Sequence, residues 1–125
     1  MTILRAIELA DMARANEIEP ELKLFWLSTL DGQIKKDVFD DNWQYSPPVP
    51  FQGYGPDTDI NHTELLVQAP YDEIYPLFLE MRIDLENNEI DRFNNSAKLY
   101  NEAYQRFAWQ HNRTHISKTV PSVRF

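Results

Sequence analysis

His111 and His115 stand four residues apart. On an α-helix that spacing puts both imidazoles on one face, as a zinc site requires. No third ligand lies nearby and no Glu follows His111, so the pair reads as a helix-end feature with a histidine facing a neighbouring element. Asp57-x-Asp59-x-Asn61 opens like a calcium loop, in which chelating oxygens come at alternate positions. Its sixth position is His62 where the loop needs Gly, and its twelfth is Gln68 where it needs a bidentate Glu. A polar turn is the simpler reading. Asp72 and Glu73 pair two carboxylates at the opening of a helix, where they complement the helix dipole and carry no acid–base signal by themselves. The sequence holds no Gly-rich phosphate loop, no nucleophile elbow and no Ser/His/Asp pattern. The expectation is a chain that is not an enzyme and has no catalytic, cofactor-binding or metal-binding residues.

Composition narrows the classes further. With no cysteine, neither a disulfide framework nor a thiolate zinc site can form. Twenty acids against 12 bases give a net charge of −8. Such a surface does not grip phosphates, although it lets nucleic acid pass without sticking. Met1-Thr2-Ile3-Leu4-Arg5 lacks a basic region followed by an apolar run, and no stretch approaches the roughly 18 apolar residues of a membrane span. Secretion and membrane insertion are therefore not expected, and the Asn-x-Ser/Thr triplets at Asn61, Asn94 and Asn112 have no glycosylation meaning. At 125 residues the chain is most simply one domain with a small core, which subunit contacts can reinforce.

The elements that would position these residues are mainly helical. Ile90, Phe93, Ala97, Tyr100, Tyr104, Phe107 and His111 recur at alternating spacings of 3 and 4, one stripe of a long helix near 89–113. Its opposite face, including Arg92, Asn95, Ser96, Asn101 and Glu102, reads as solvent-facing. Thr2 is a candidate N-cap for a helix near 3–15. Pro20 fits the first position of a second helix near 20–39. That helix is apolar nearly all round from Leu22 to Leu30, as if it lay between two others. Gly32 within it allows close packing or a bend. A third helix near 70–86 carries Ile74, Leu77, Phe78, Met81 and Leu85, with Tyr75, Leu79 and Ile83 broadening the stripe. Pro76 is harmless there only if the helix starts near Asp72. The five-residue gap between Leu85 and Ile90 predicts a break before the last helix, and antiparallel packing of the two. Thr63 to Val67 reads as one short strand.

Two segments lack helical period. Asp40 to His62 holds four prolines and Trp43, Tyr45, Phe51 and Tyr54. A run this long inside a small domain is usually functional or disordered, and disordered linkers seldom carry four large aromatics. One reading is an arm docked on a neighbouring subunit, in which case deleting 44–58 spares the monomer; the other is a loop folded over its own core. The second segment, 116–125, is an extended tail with Ile116, Lys118, Val120, Val123, Arg124 and Phe125 as candidate interface residues. Pro121 suits it to an edge strand. The domain expectation is a helical bundle over 1–115, including the 40–62 arm, followed by this tail.

Four strings carry a family likeness: Trp26-Leu27-Ser28-Thr29-Leu30-Asp31-Gly32-Gln33-Ile34; Thr63-Glu64-Leu65-Leu66-Val67-Gln68-Ala69-Pro70-Tyr71-Asp72-Glu73; Asn88-Glu89-Ile90-Asp91-Arg92-Phe93-Asn94-Asn95-Ser96; and Asn112-Arg113-Thr114-His115. Their order and spacing, from Thr2 to His115, resemble the small head–tail connector (adaptor, head-completion) proteins of tailed bacteriophages and prophages of Gram-positive bacteria. The resemblance implies a structural virion protein at the head–tail interface, made in the host cytoplasm. It implies a helical bundle assembling as a twelve-fold homo-oligomeric ring under the portal protein. On the tail side it would meet another adaptor or stopper protein, and DNA would pass through its acidic channel without sequence-specific binding. The alternative class is a small soluble helical adaptor or regulatory binding protein acting as a monomer or dimer.

Overall fold

The computed structural model describes residues 1–39 and 51–114. Four helices make the bundle: α1 (Ile3–Ala13), α2 (Pro20–Ile34), α3 (Ile74–Glu86) and α4 (Ile90–Thr114). A π-helical turn, Lys35–Phe39, extends α2, and a 3-10 turn, Tyr71–Glu73, leads into α3. The Thr2 hydroxyl accepts the Arg5 N–H at 3.1 Å and caps α1 as its sequence predicts. Pro20 opens α2 where its missing N–H costs nothing.

The third helix starts at Ile74, not at Pro70. Pro76 therefore falls within the first turn, where the backbone N–H groups have no intrahelical acceptor to lose. α3 ends in a Schellman turn. The Glu89 N–H reaches the Asp84 carbonyl at 2.9 Å and the Asn88 N–H reaches Leu85 at 3.1 Å. Asn88 holds the left-handed conformation there, with φ at 57°. The chain reverses, and α3 and α4 form an antiparallel hairpin. Asp84 meets Ser96, Phe78 meets Tyr100 at 5.2 Å, and Glu73 meets Arg106 at 2.8 Å.

The core is built from Ile3, Ala6, Ile7 and Ala10 of α1 and Trp26, Leu27, Leu30 and Ile34 of α2. Ile74, Tyr75, Leu79 and Ile83 of α3 and Ala103 and Phe107 of α4 complete the helical share. Leu65 and Val67 close it from the segment before α3. Two expectations about faces shift. On α4 the buried line runs through Ser96, Ala103 and Phe107, while Ile90 is 54% exposed and Phe93 half-buried. On α3, Tyr75, Leu79 and Ile83 are central and Leu85 is exposed, because α1 and α4 both pack on this helix. Phe25 of α2 is 63% exposed, so that helix is not enclosed all round.

The expected strand over 63–67 is not formed. Only one antiparallel bridge, Thr2 with Glu64, is present among the described residues there. The Leu65 N–H to the Met1 carbonyl at 3.0 Å is one bond of that bridge, and the pairing stops there because the next amides turn to side chains. Leu66 goes to the Asp31 carboxylate at 3.1 Å and Val67 to the Tyr75 hydroxyl at 2.8 Å. With those two amides satisfied, no partner strand is needed beyond the bridge.

Candidate functional site

Asp31 is the centre on which these elements converge. It lies on the stripe Leu27, Asp31, Ile34 of α2 and is fully buried. The Tyr75 hydroxyl donates to its Oδ1 at 2.6 Å. The Tyr54 hydroxyl donates to Oδ2 at 2.5 Å, beside the Leu66 N–H. One carboxylate thus ties α2 to α3, to the segment before α3, and to the end of the Pro-rich arm. Burial raises the Asp31 pKa above its ordinary 3.8, against the opposing pull of hydrogen bonds from Tyr54, Tyr75 and Leu66. Burial, together with the neighbouring carboxylate, pushes both tyrosine pKa values up, so the phenols remain donors across the physiological range. Both carboxylate oxygens are engaged and water is excluded, so the arrangement acts as a clamp.

A second buried carboxylate lies at the other end of α3. Asp84 is 1% exposed and accepts the Arg14 Nε–H at 3.0 Å and the Ser96 hydroxyl. Arg14 also lies 3.6 Å from Glu80. The pair joins α1, α3 and α4, and the charge on Asp84 is met by a guanidinium, as a buried ion requires. Lys23 is similarly buried, with its ammonium 2.7 Å from Asp11.

The start of the described arm lies on its own bundle. The Phe51 ring lies against α2 at Gly32, where a Cβ would stand 3.5 Å from it, in ordinary van der Waals contact. Gly53 has φ at +81° and a Cβ there would be 3.2 Å from the Ser28 hydroxyl oxygen. That same oxygen accepts the Tyr54 N–H at 3.0 Å. Phe51 and Tyr54 pack edge to face, with ring centroids 5.3 Å apart. Within the chain these two residues pack on their own bundle, where α2 supplies a hydroxyl, a carboxylate and a glycine that face them. Trp43 and Tyr45, and Ile116, Lys118, Val120, Val123, Arg124 and Phe125, lie outside the described residues.

Of the residues with possible metal chemistry, Asp59, His62 and His111 make ordinary structural contacts, and His115 lies outside the described residues. Asp59 accepts the Asn61 N–H at 3.1 Å and contacts the His62 Nδ1 at 2.8 Å, closing a polar turn. The hydrogen bond with His62 is the main cause that lowers the Asp59 pKa. His111 packs on Phe39, with ring centroids 4.9 Å apart, and on Phe107 at 6.0 Å. Among the described residues no three His, Cys, Asp or Glu side chains are placed to hold a metal ion. No described helix is long and apolar enough to cross a membrane.

Asp31, Asp84 and Ser96 carry the two clamps, and the sequence reading singled out none of them as a site. The available signal was an acid or hydroxyl inside an apolar stripe. Asp31 falls between Leu27 and Ile34, and Ser96 keeps step with Tyr100, Ala103 and Phe107. No family model, curated protein or solved structure matches this chain.

Proposed function

We propose that this chain is a structural virion protein, a head–tail connector that assembles as a ring under a portal and extends the DNA channel toward the tail. The observation carrying the reading is the apolar surface left by the single chain. Met12 is 71% exposed, and Phe25 and Trp109 are each 63% exposed. A bundle with this small a core and such side chains in water is suited to burial against further subunits. The net charge of −8 supports passage of DNA, since acidic walls repel phosphates. The four strings resembling connector proteins supply the family context. Trp43, Tyr45 and the 116–125 tail are the segments assigned to neighbouring subunits and to the portal.

Co-expression with a portal protein and tail-side proteins of a tailed phage tests the reading. The expected product is a ring stacked on the portal, seen by electron microscopy and present in purified particles. A chain that stays monomeric or dimeric beside an assembled portal, and is absent from particles, overturns it and leaves a soluble helical adaptor as the function.

A further inference from the structure

Four of the exposed large apolar side chains belong to one end of the bundle. Met12 lies at the end of α1, Leu22 at the start of α2, Leu85 at the end of α3 and Ile90 at the start of α4. Their elements are held together there: the Asp11 carboxylate meets Lys23, Arg14 meets Asp84, and the Asn87 side chain donates to the Ala15 carbonyl at 3.4 Å. The same end is acidic. Glu19, Glu21, Glu86, Glu89 and Asp91 are exposed there against one exposed cation, Arg92, while Arg14 and Lys23 meet carboxylates of their own. The surface therefore calls for an occupant that is apolar and basic.

Residues 115–125 have that character. They hold Ile116, Val120, Val123 and Phe125, the cations Lys118 and Arg124, and no acid. They follow the far end of α4. With 25 residues, that helix is about 38 Å long at roughly 1.5 Å per residue. Eleven residues span at most about 36–40 Å fully extended, so a chain's own segment would exhaust its reach before crossing this end. The segment of another copy carries no such limit. We propose that residues 115–125 of one subunit dock on the Met12–Leu22–Leu85–Ile90 end of the next. The contact is heterologous, and repetition around an axis closes it into a ring. This inference deepens the connector reading and rests on it for the closure of the ring.

The absence of cysteine allows a direct test. Met12→Cys and Val120→Cys are made separately in the full chain, and the two proteins are mixed, oxidised and run on a non-reducing gel. A cross-linked heterodimer is expected. Its yield should fall about tenfold when Lys118→Glu and Arg124→Glu are added to the Val120→Cys chain, since opposing charges set such contacts. The same mixture is assembled on the portal, so that a contact formed only in particles is also scored. Leu99→Cys, at an exposed position on the body of α4, serves as the control partner. Equal cross-linking to Leu99→Cys, or none to Met12→Cys either free or in particles, overturns the proposal. In a single chain carrying both Met12→Cys and Val120→Cys, closure to a cross-linked monomer also overturns it, by showing that the segment reaches its own bundle. A chain that rings the portal without this cross-link loses only the inference. A chain that cross-links but ignores the portal keeps the contact and loses the connector function.

Discussion

The hydroxyl of Tyr75 donates to Asp31 at 2.6 Å while it accepts the Val67 N–H at 2.8 Å. One buried phenol thus satisfies a carboxylate on α2 and an amide of the segment before α3. Tyr75→Phe removes both contacts and leaves the amide unpartnered in the core. We expect a loss of about 2–3 kcal/mol, against about 1 kcal/mol for Tyr54→Phe, whose site is less buried. Urea denaturation of the two variants checks the order; equal losses would show that the Val67 amide is satisfied another way.

Asp31 gives the stability a defined pH dependence. Its folded pKa lies above the ordinary 3.8, so the folded state holds a proton that the unfolded chain releases more readily. The contribution is complete below the unfolded value and is lost as pH rises through the folded one. The stability of wild type minus that of Asp31→Asn should therefore fall as pH rises above the ordinary 3.8. Urea midpoints across that range measure it, and a difference that rises with pH would contradict the assignment.

The second clamp predicts a pattern across a double mutant. Arg14→Met strands the Asp84 carboxylate at 1% exposure and should cost about 3 kcal/mol. Adding Asp84→Leu removes the stranded charge and should recover much of that loss. Denaturant titration of the single and double variants gives the coupling directly. Additive losses would mean that the two side chains do not act as a pair.

Packing separates two aromatics that share the predicted stripe of α4. Phe107 is 5% exposed and should lose about 3–5 kcal/mol on truncation to Ala. Phe93 is half-buried, and Phe93→Ala should cost less than half as much. Thermal melts of the two variants distinguish them.

The arm provides a test against the simplest view of it as a detachable appendage. Deleting 51–58 removes Tyr54 from Asp31 and from Ser28 and Phe51 from Gly32, and should cost at least about 2 kcal/mol through the two lost hydrogen bonds and the lost aromatic packing together. An unchanged urea midpoint would mean that another donor replaces Tyr54.

The helices were legible because their signals are local. Thr2, Pro20 and the 3–4 rhythm of α4 specify a cap, a first turn and an apolar face without reference to the rest of the chain. The break at 87–89 followed from the gap between Leu85 and Ile90, although the left-handed Asn88 that executes it carries no glycine signal. The clamps were not legible because they depend on residues far apart. Asp31 and Tyr75 are 44 positions apart, and Asp84 is 70 from Arg14. A hydroxyl such as Ser96 reads as surface until the carboxylate facing it is known. The misjudged strand has the same origin: its pattern was β-like, but after the single bridge its Leu66 and Val67 amides end on side chains that periodicity cannot reveal.

That substitution of side chains for a partner strand has a consequence for colloidal behaviour. An extended run with free amides is a template on which another chain can add, and edge strands seed aggregation in this way. Here the Leu65, Leu66 and Val67 amides are already capped from within, so the run offers no open ladder at those positions. Loss of Asp31 or Tyr75 would do more than soften the bundle: it would uncap an apolar, β-prone stretch, turning a point defect in one molecule into a nucleus that recruits others.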